Sequence, residues 1–250
     1  MKSTAAAFAI KAVALLAMLG AAEKGIAEDT AAAYPKMAPL DEYLMRRDAE
    51  VDLARSAAPL AISKDATVMI LTRHGYKTAA KGSNGWVCLV DRSWSGMLDH
   101  PEFWNPKVRA PGCLNPTVAR TFLPYDYKRT NLILAGKSRE EVITATKTAI
   151  AEKQLPAIEG GVCYMMSKSA YLGDFRGHNM PHVMFYAAGE DGAAWGANLP
   201  NSPIMGVSYW SGSTDTYPQL KAFPPIYVYL VPVNKWSDGT DGPSMNSARE

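Results

Sequence analysis

Three short runs of strand-forming residues, parted by turn dipeptides, constrain this chain more than any other feature. They are Ala66 to Leu71 (ATVMIL), Tyr76 to Lys81 and Trp86 to Val90 (WVCLV). His74-Gly75 separates the first pair and Asn84-Gly85 the second, and both dipeptides suit tight reversals. Connections this short fit antiparallel neighbours, because a parallel crossover needs about a dozen residues or more. The expectation is a three-stranded antiparallel meander.

Further strands are predicted at Val162 to Ser167, His182 to Ala187, Ile204 to Trp210 and Ile226 to Val233. Ala193 to Ala197 is expected to pair back after the Glu190-Asp191-Gly192 turn. Pro232 marks a sheet edge or a strand end, since it cannot donate to a ladder. Helices are expected from Leu40 to Ala57, with Pro39 at the start and Asp41 and Glu42 in the first turn. A short helix opens at Asn115-Pro116 and is cut by Pro124, and Tyr125 to Leu134 forms another. The firmest helical signal is Ser138-Arg-Glu-Glu141, a capping box that predicts a helix from Arg139 to about Gln154. Strands, then helices, then strands predict an α+β fold with a largely antiparallel sheet and two to four helices.

Residues 1–27 read as a secretory signal peptide: Lys2 and Lys11, an apolar run from Ala12 to Ala22, then small Gly25 and Ala27. The apolar run is too short to span a bilayer. Residues 28–38 read as a flexible segment, 39–236 as a single globular domain and 237–250 as a flexible polar tail. The formal charge of +2 is carried by Lys2, Lys11 and Lys24 against Glu23, leaving the rest of the chain neutral. That removes the electrostatic case for a nucleic-acid partner. No later stretch is long and apolar enough to be a transmembrane helix. The expected location is the periplasm or outside the cell.

In such a compartment two of the three cysteines are expected to bridge. Cys88 and Cys113 bracket a loop rich in Pro and Trp, and closing about 25 residues stabilises a fold by roughly 3–4 kcal/mol in the chain-entropy model. Cys163 lies in an apolar strand and reads as a buried free thiol.

Arg73-His74-Gly75 matches the three-residue motif of histidine phosphatases, but its hairpin context does not, so a turn is the preferred reading. Trp86, Trp94, Trp104 and Tyr125 could stack on sugars, and core or loop-anchoring roles fit them better. The richest constellation is His178-Asn-Met-Pro-His-Val-Met184. If this segment is extended, His178, Met180, His182 and Met184 point to one side. Imidazole and thioether ligands suit copper, especially Cu(I). The competing reading makes the methionines core and ties the histidine to backbone. His182 is the first candidate for a ligand site, with Tyr164, Met166 and Trp210 as candidates to share its rim.

Several segments resemble a group of uncharacterised exported bacterial proteins. They are Ala66-Thr-Val-Met-Ile70, Lys81-Gly-Ser-Asn-Gly-Trp-Val-Cys88, Cys113-Leu-Asn-Pro116, Gly161-Val-Cys-Tyr-Met165, Pro181-His-Val-Met184 and Val231-Pro-Val233. The resemblance supports Cys88–Cys113 pairing, a plain turn at His74 and a free Cys163. It carries over no catalytic residue.

No complete catalytic constellation is visible. The sequence therefore favours a non-enzymatic exported binding or accessory protein. The alternative is an enzyme, hydrolytic or metal-dependent, built around His182 with His74 or His100 as partner. Copper binding through the His/Met strand is a minor third, and no other cofactor is expected.

Overall fold

The computed structural model describes residues 34–174, 177–178, 180–189, 192–209 and 214–243. The signal-peptide stretch, the Glu190-Asp191 part of the expected turn and Trp210 lie outside the described residues.

The first hairpin forms where expected. Strands β1 (Thr67–Thr72) and β2 (Gly75–Ala80) pair antiparallel across the two-residue loop Arg73-His74. The Thr72 hydroxyl donates to the Gly75 carbonyl at 2.7 Å and accepts from the His74 amide at 3.1 Å. Gly75 has φ +88°, and a Cβ there would lie 2.3 Å from Asn131 Oδ1. A side chain is thus barred both by conformation and by space. The Arg73-His74-Gly75 motif is a hairpin turn.

The meander does not continue. Strand β3 (Val87–Asp91) pairs with β1, in parallel, and β2 is left at the sheet edge. After β2 has returned the chain to the start of β1, residues 81–86 pass round that end instead of folding back on β2. The Ser83 amide donates to the Asp65 carbonyl at 2.8 Å, and the Thr67 amide to the Trp86 carbonyl at 2.9 Å. A Cβ on Gly82 would sit 2.2 Å from the Thr67 nitrogen, so the bend needs glycine for close approach. No crossover is required, because the hairpin has already reversed the chain.

Strand β4 (Ala110–Leu114) then pairs antiparallel with β3, and Cys88 faces Cys113 directly in the register. The two are disulfide-bonded, with Cα atoms 4.0 Å apart. Residues 110–112 were expected as loop and are strand. The loop from Arg92 to Arg109 is also better anchored than its composition suggests. Trp94 and Phe103 are fully buried, and Glu102, also buried, accepts from Asn105 Nδ2 at 3.2 Å and the Asp174 amide at 2.9 Å.

The remaining strands are β5 (Gly161–Met165), the small pair β6 (Tyr171–Gly173) and β7 (Gly177–His178), then β8 (His182–Ala188), β9 (Met205–Ser208) and β10 (Ile226–Pro232). The main sheet runs β2-β1-β3-β4-β5-β8-β10-β9, with only β1–β3 parallel. This is an α+β fold with a largely antiparallel sheet. Pro232 falls at the end of β10, opposite His182. Residues 193–195, expected to be extended, form a 3-10 turn closed by Gly196 at φ +71°. Ser237 to Gly242, expected as tail, are tied back by bonds such as Ser237 amide to Met166 carbonyl at 3.0 Å.

Among the described residues, five α-helices accompany the sheet: α1 (Arg47–Arg55), α2 (Leu60–Ser63), α3 (Pro116–Thr121), α4 (Leu123–Leu134) and α5 (Arg139–Ala151). The single helix expected from Leu40 to Ala57 is interrupted after a 3-10 turn at Leu40–Glu42. The cause is Tyr43. Its side chain is fully buried, its hydroxyl donates to the Trp104 carbonyl at 2.7 Å, and its own carbonyl accepts from Arg92 Nε at 2.8 Å. The capping box of α5 forms as read, with Ser138 and Glu141 bonding reciprocally. Asn115 caps α3 through the Val118 amide at 3.0 Å.

Helices α3 to α5 cover one face of the sheet, over Leu89, Leu114, Cys163, Tyr186 and Val228. Helix α1 covers the other face only at the β1, β3 and β4 end, where Ala54 and Ala57 pack on Val68, Val90 and the disulfide. At the β8–β10 end that outer face carries the 3-10 turn and its Trp195 instead.

Candidate functional site

The His/Met array does not form one strand. His178 belongs to β7 in the small sheet, paired with Tyr171, whereas His182 and Met184 belong to β8 in the main sheet. The common face that copper ligation required is therefore missing. His182 is buried, and its Nδ1 lies 2.9 Å from the Met180 carbonyl. That is the arrangement of a histidine held by its own backbone. Among the described residues, no group of three His, Cys, Asp or Glu side chains could hold a metal.

The expected partners of His182 lie elsewhere. His182 pairs with Met165 and shares the helix-covered face. Tyr164, one residue earlier, points to the opposite face and packs on Trp86 at 5.5 Å between ring centroids. His74 is in the hairpin at the β2 edge, four strands from β8. His100 sits in the β3–β4 loop, where its Nδ1 accepts from the Glu102 amide at 3.1 Å. Met166 is buried, and its amide donates to the Ala57 carbonyl at 2.9 Å. Trp94 and Tyr125 are core residues, so neither is open to a sugar ring.

What the structure does bring together is acidic. Helix α4 buries a stripe of Leu123, Asp126, Arg129, Thr130 and Ile133 against the sheet, and two members of that stripe are charged. Asp126 accepts from the Tyr209 hydroxyl at 3.0 Å, just beyond the end of β9. The same hydroxyl lies 3.3 Å from the Ser95 carbonyl, and Ser95 Oγ donates to Asp91 Oδ1 at 3.2 Å. Arg129 donates through Nη1 to the carbonyls of Trp94 at 3.1 Å and Gly96 at 2.8 Å, and its guanidinium stands 5.3 Å from the Tyr209 ring centre.

Loss of water raises both acids. Asp126 is buried, and burial followed by the neighbouring charge of Asp91 pushes it up to about 8, against the pull of Arg129 and the Tyr209 bond. Asp91 is half-buried, and desolvation pushes it up to about 6, with Ser95, Arg92 and Arg129 opposing. Two carboxyls that share a low-dielectric corner do not both ionise readily. Near neutral pH the pair therefore keeps a proton.

A second buried charge cluster is balanced. Glu50 and Arg92, both without exposed side chain, meet at 2.8 Å, and Glu50 Oε1 also accepts from the Leu71 amide at 3.0 Å. Neither cluster was anticipated from the sequence. The available signal was the pair of charges at positions 126 and 129 within an otherwise apolar helical stripe.

On the outer face, Trp195 stacks on Tyr229 at 4.8 Å and Tyr229 on Tyr227 at 5.9 Å. Phe185 faces Tyr229 across the β8–β10 ladder. Among the six large exposed apolar side chains of the described residues, Phe185 and Trp195 lie on this face and Leu199 in the β8–β9 connection, whereas Met205 and Val207, paired with Leu230 and Val228, point to the opposite face.

No family model, curated protein or solved structure matches the chain.

Proposed function

We propose that this chain is an exported, disulfide-stapled binding protein whose contact surface is the aromatic end of its sheet, around Trp195 and Phe185. The observation that carries the reading is the outer-face aromatic group, with Trp195 half-exposed on a stack of two tyrosines and the exposed Phe185 beside Tyr229 on the same face. Apolar surface gathered in one place marks interaction sites, whereas scattered single residues do not. Aromatic rings supply large contact area at low entropic cost. The Cys88–Cys113 bridge fits an oxidising compartment, and the leader-like residues 1–27 fit export to it.

The test is photo-crosslinking in intact cells. A photoreactive residue replacing Trp195 is expected to give a discrete adduct in the exported fraction. The same residue replacing Leu60, equally apolar and exposed on the start of α2, gives none. Equal labelling at both positions, or none at Trp195, overturns the binding surface. A protein found only in the cytoplasm with residues 1–27 intact overturns export.

A further inference from the structure

The corner where β9 ends is held by one side chain between two acids. Tyr209 joins the sheet through its amide, which donates to the Ile226 carbonyl at 2.8 Å, and its ring stands edge-on to Phe122 at 4.9 Å. Its hydroxyl reaches Asp126 on α4 and the Ser95 carbonyl, beside the Asp91 that ends β3.

The charges around this corner can be added up. From α4 come Asp126, Arg129 and Tyr127; from β3 and its end, Asp91 and Arg92; from α1, Glu50. Arg109, just before β4, acts on Glu50, Arg92 and Tyr76, and Tyr76 of β2, Cys163 of β5, Tyr186 of β8 and Tyr209 complete the set among the described residues. Burial raises the three other tyrosines, Tyr209 and the thiol, so all of them stay neutral. Arg92 is matched by Glu50 at 2.8 Å. Arg129 gives its Nη1 to the Trp94 and Gly96 carbonyls, so the buried Asp126 carboxyl is met by the neutral Tyr209 hydroxyl, and burial favours its protonated form.

We infer that the proton on the buried Asp126 carboxyl is a latch that fastens the end of β9 to helix α4 through Tyr209. With the proton present, Asp126 still accepts from Tyr209. With it gone, an ionised Asp126 is left in a buried site. A local opening that hydrates the carboxylate is then favoured, and Tyr209 is the contact it breaks. The latch is independent of what the aromatic face binds.

Hydrogen exchange measured by peptide from pH 5 to 9, corrected for intrinsic rates, tests it. In the wild type, protection of residues 205–209 is expected to fall up to about ten-fold per pH unit from pH 5 to about 8 and to level off above it, as linkage to one proton requires. Protection of β1, lost only on global unfolding, stays above that of residues 205–209 at every pH. Asp126→Asn, which keeps an acceptor for Tyr209 but cannot ionise, removes the pH dependence. Tyr209→Phe lowers protection of the segment at every pH and leaves little further fall. A wild-type pH response in Asp126→Asn, or protection of β1 and β9 that is equal at every pH, overturns the latch.

Discussion

The two buried charge clusters differ in one respect that governs how each behaves. At the β1–β3 end, Glu50 and Arg92 are paired one to one, sealed beneath α1 and bonded to the Leu71 amide and the Tyr43 carbonyl. At the β9 end, the buried Asp126 is met by the Tyr209 hydroxyl, and Arg129 gives its Nη1 to backbone carbonyls. A matched pair is costly to break. A buried acid met by a hydroxyl tolerates neutralisation and is sensitive to ionisation. The same contrast appears in packing. One end of the sheet is covered on both faces and stapled by Cys88–Cys113, while the other exposes aromatic surface.

The largest effect is expected from breaking the matched pair. Glu50→Ala strands a fully buried guanidinium, and removing one partner of a buried ion pair costs about 3–5 kcal/mol. Urea denaturation would read this as a lower midpoint with an unchanged slope. A loss below about 1 kcal/mol would mean that Arg92 is satisfied by backbone carbonyls alone.

Slightly less is expected from opening the staple. Replacing Cys88 and Cys113 by Ala releases a loop of 25 residues, worth roughly 3–4 kcal/mol in the chain-entropy model. Because the two residues are direct partners in the β3–β4 ladder, the loss should appear in β3 and β4 exchange and leave β9 unchanged. Equal weakening of both ends would erase the division between them.

Much of the sheet was legible in the sequence because its strands are short, apolar and punctuated. The neighbour of β3 was not. Strand direction is the same whether β3 lies beside β2 or β1, and what decides between them is the close approach of Gly82 to the Thr67 backbone. The break after Leu40–Glu42 was hidden for a similar reason, since it depends on Tyr43 being drawn into the core by partners 49 and 61 residues away. The site was harder still. His178 to Met184 looked like a ligand array only on the premise of one continuous strand, and the chain changes sheets within it. Asp126 looked like an ordinary first-turn acid. Nothing local shows that Tyr209, 83 residues on, and Asp91 will meet it out of water. Trp195 was overlooked because its exposure depends on which part of the sheet α1 leaves uncovered.

The contrast between the clusters is tested most directly by unfolding the wild type and Asp126→Asn in urea at a series of pH values from 4 to 9. A carboxyl whose folded value is raised holds a proton that the unfolded chain has lost, so stability falls as pH rises. For Asp91 that loss runs from the ordinary carboxylate range to about 6, and for Asp126 to about 8. The account predicts near-equal stability of the two proteins at pH 4 and an advantage for Asp126→Asn that grows up to about pH 8 and holds level to pH 9. A difference that does not change with pH, or a variant less stable than the wild type at pH 9, would contradict it.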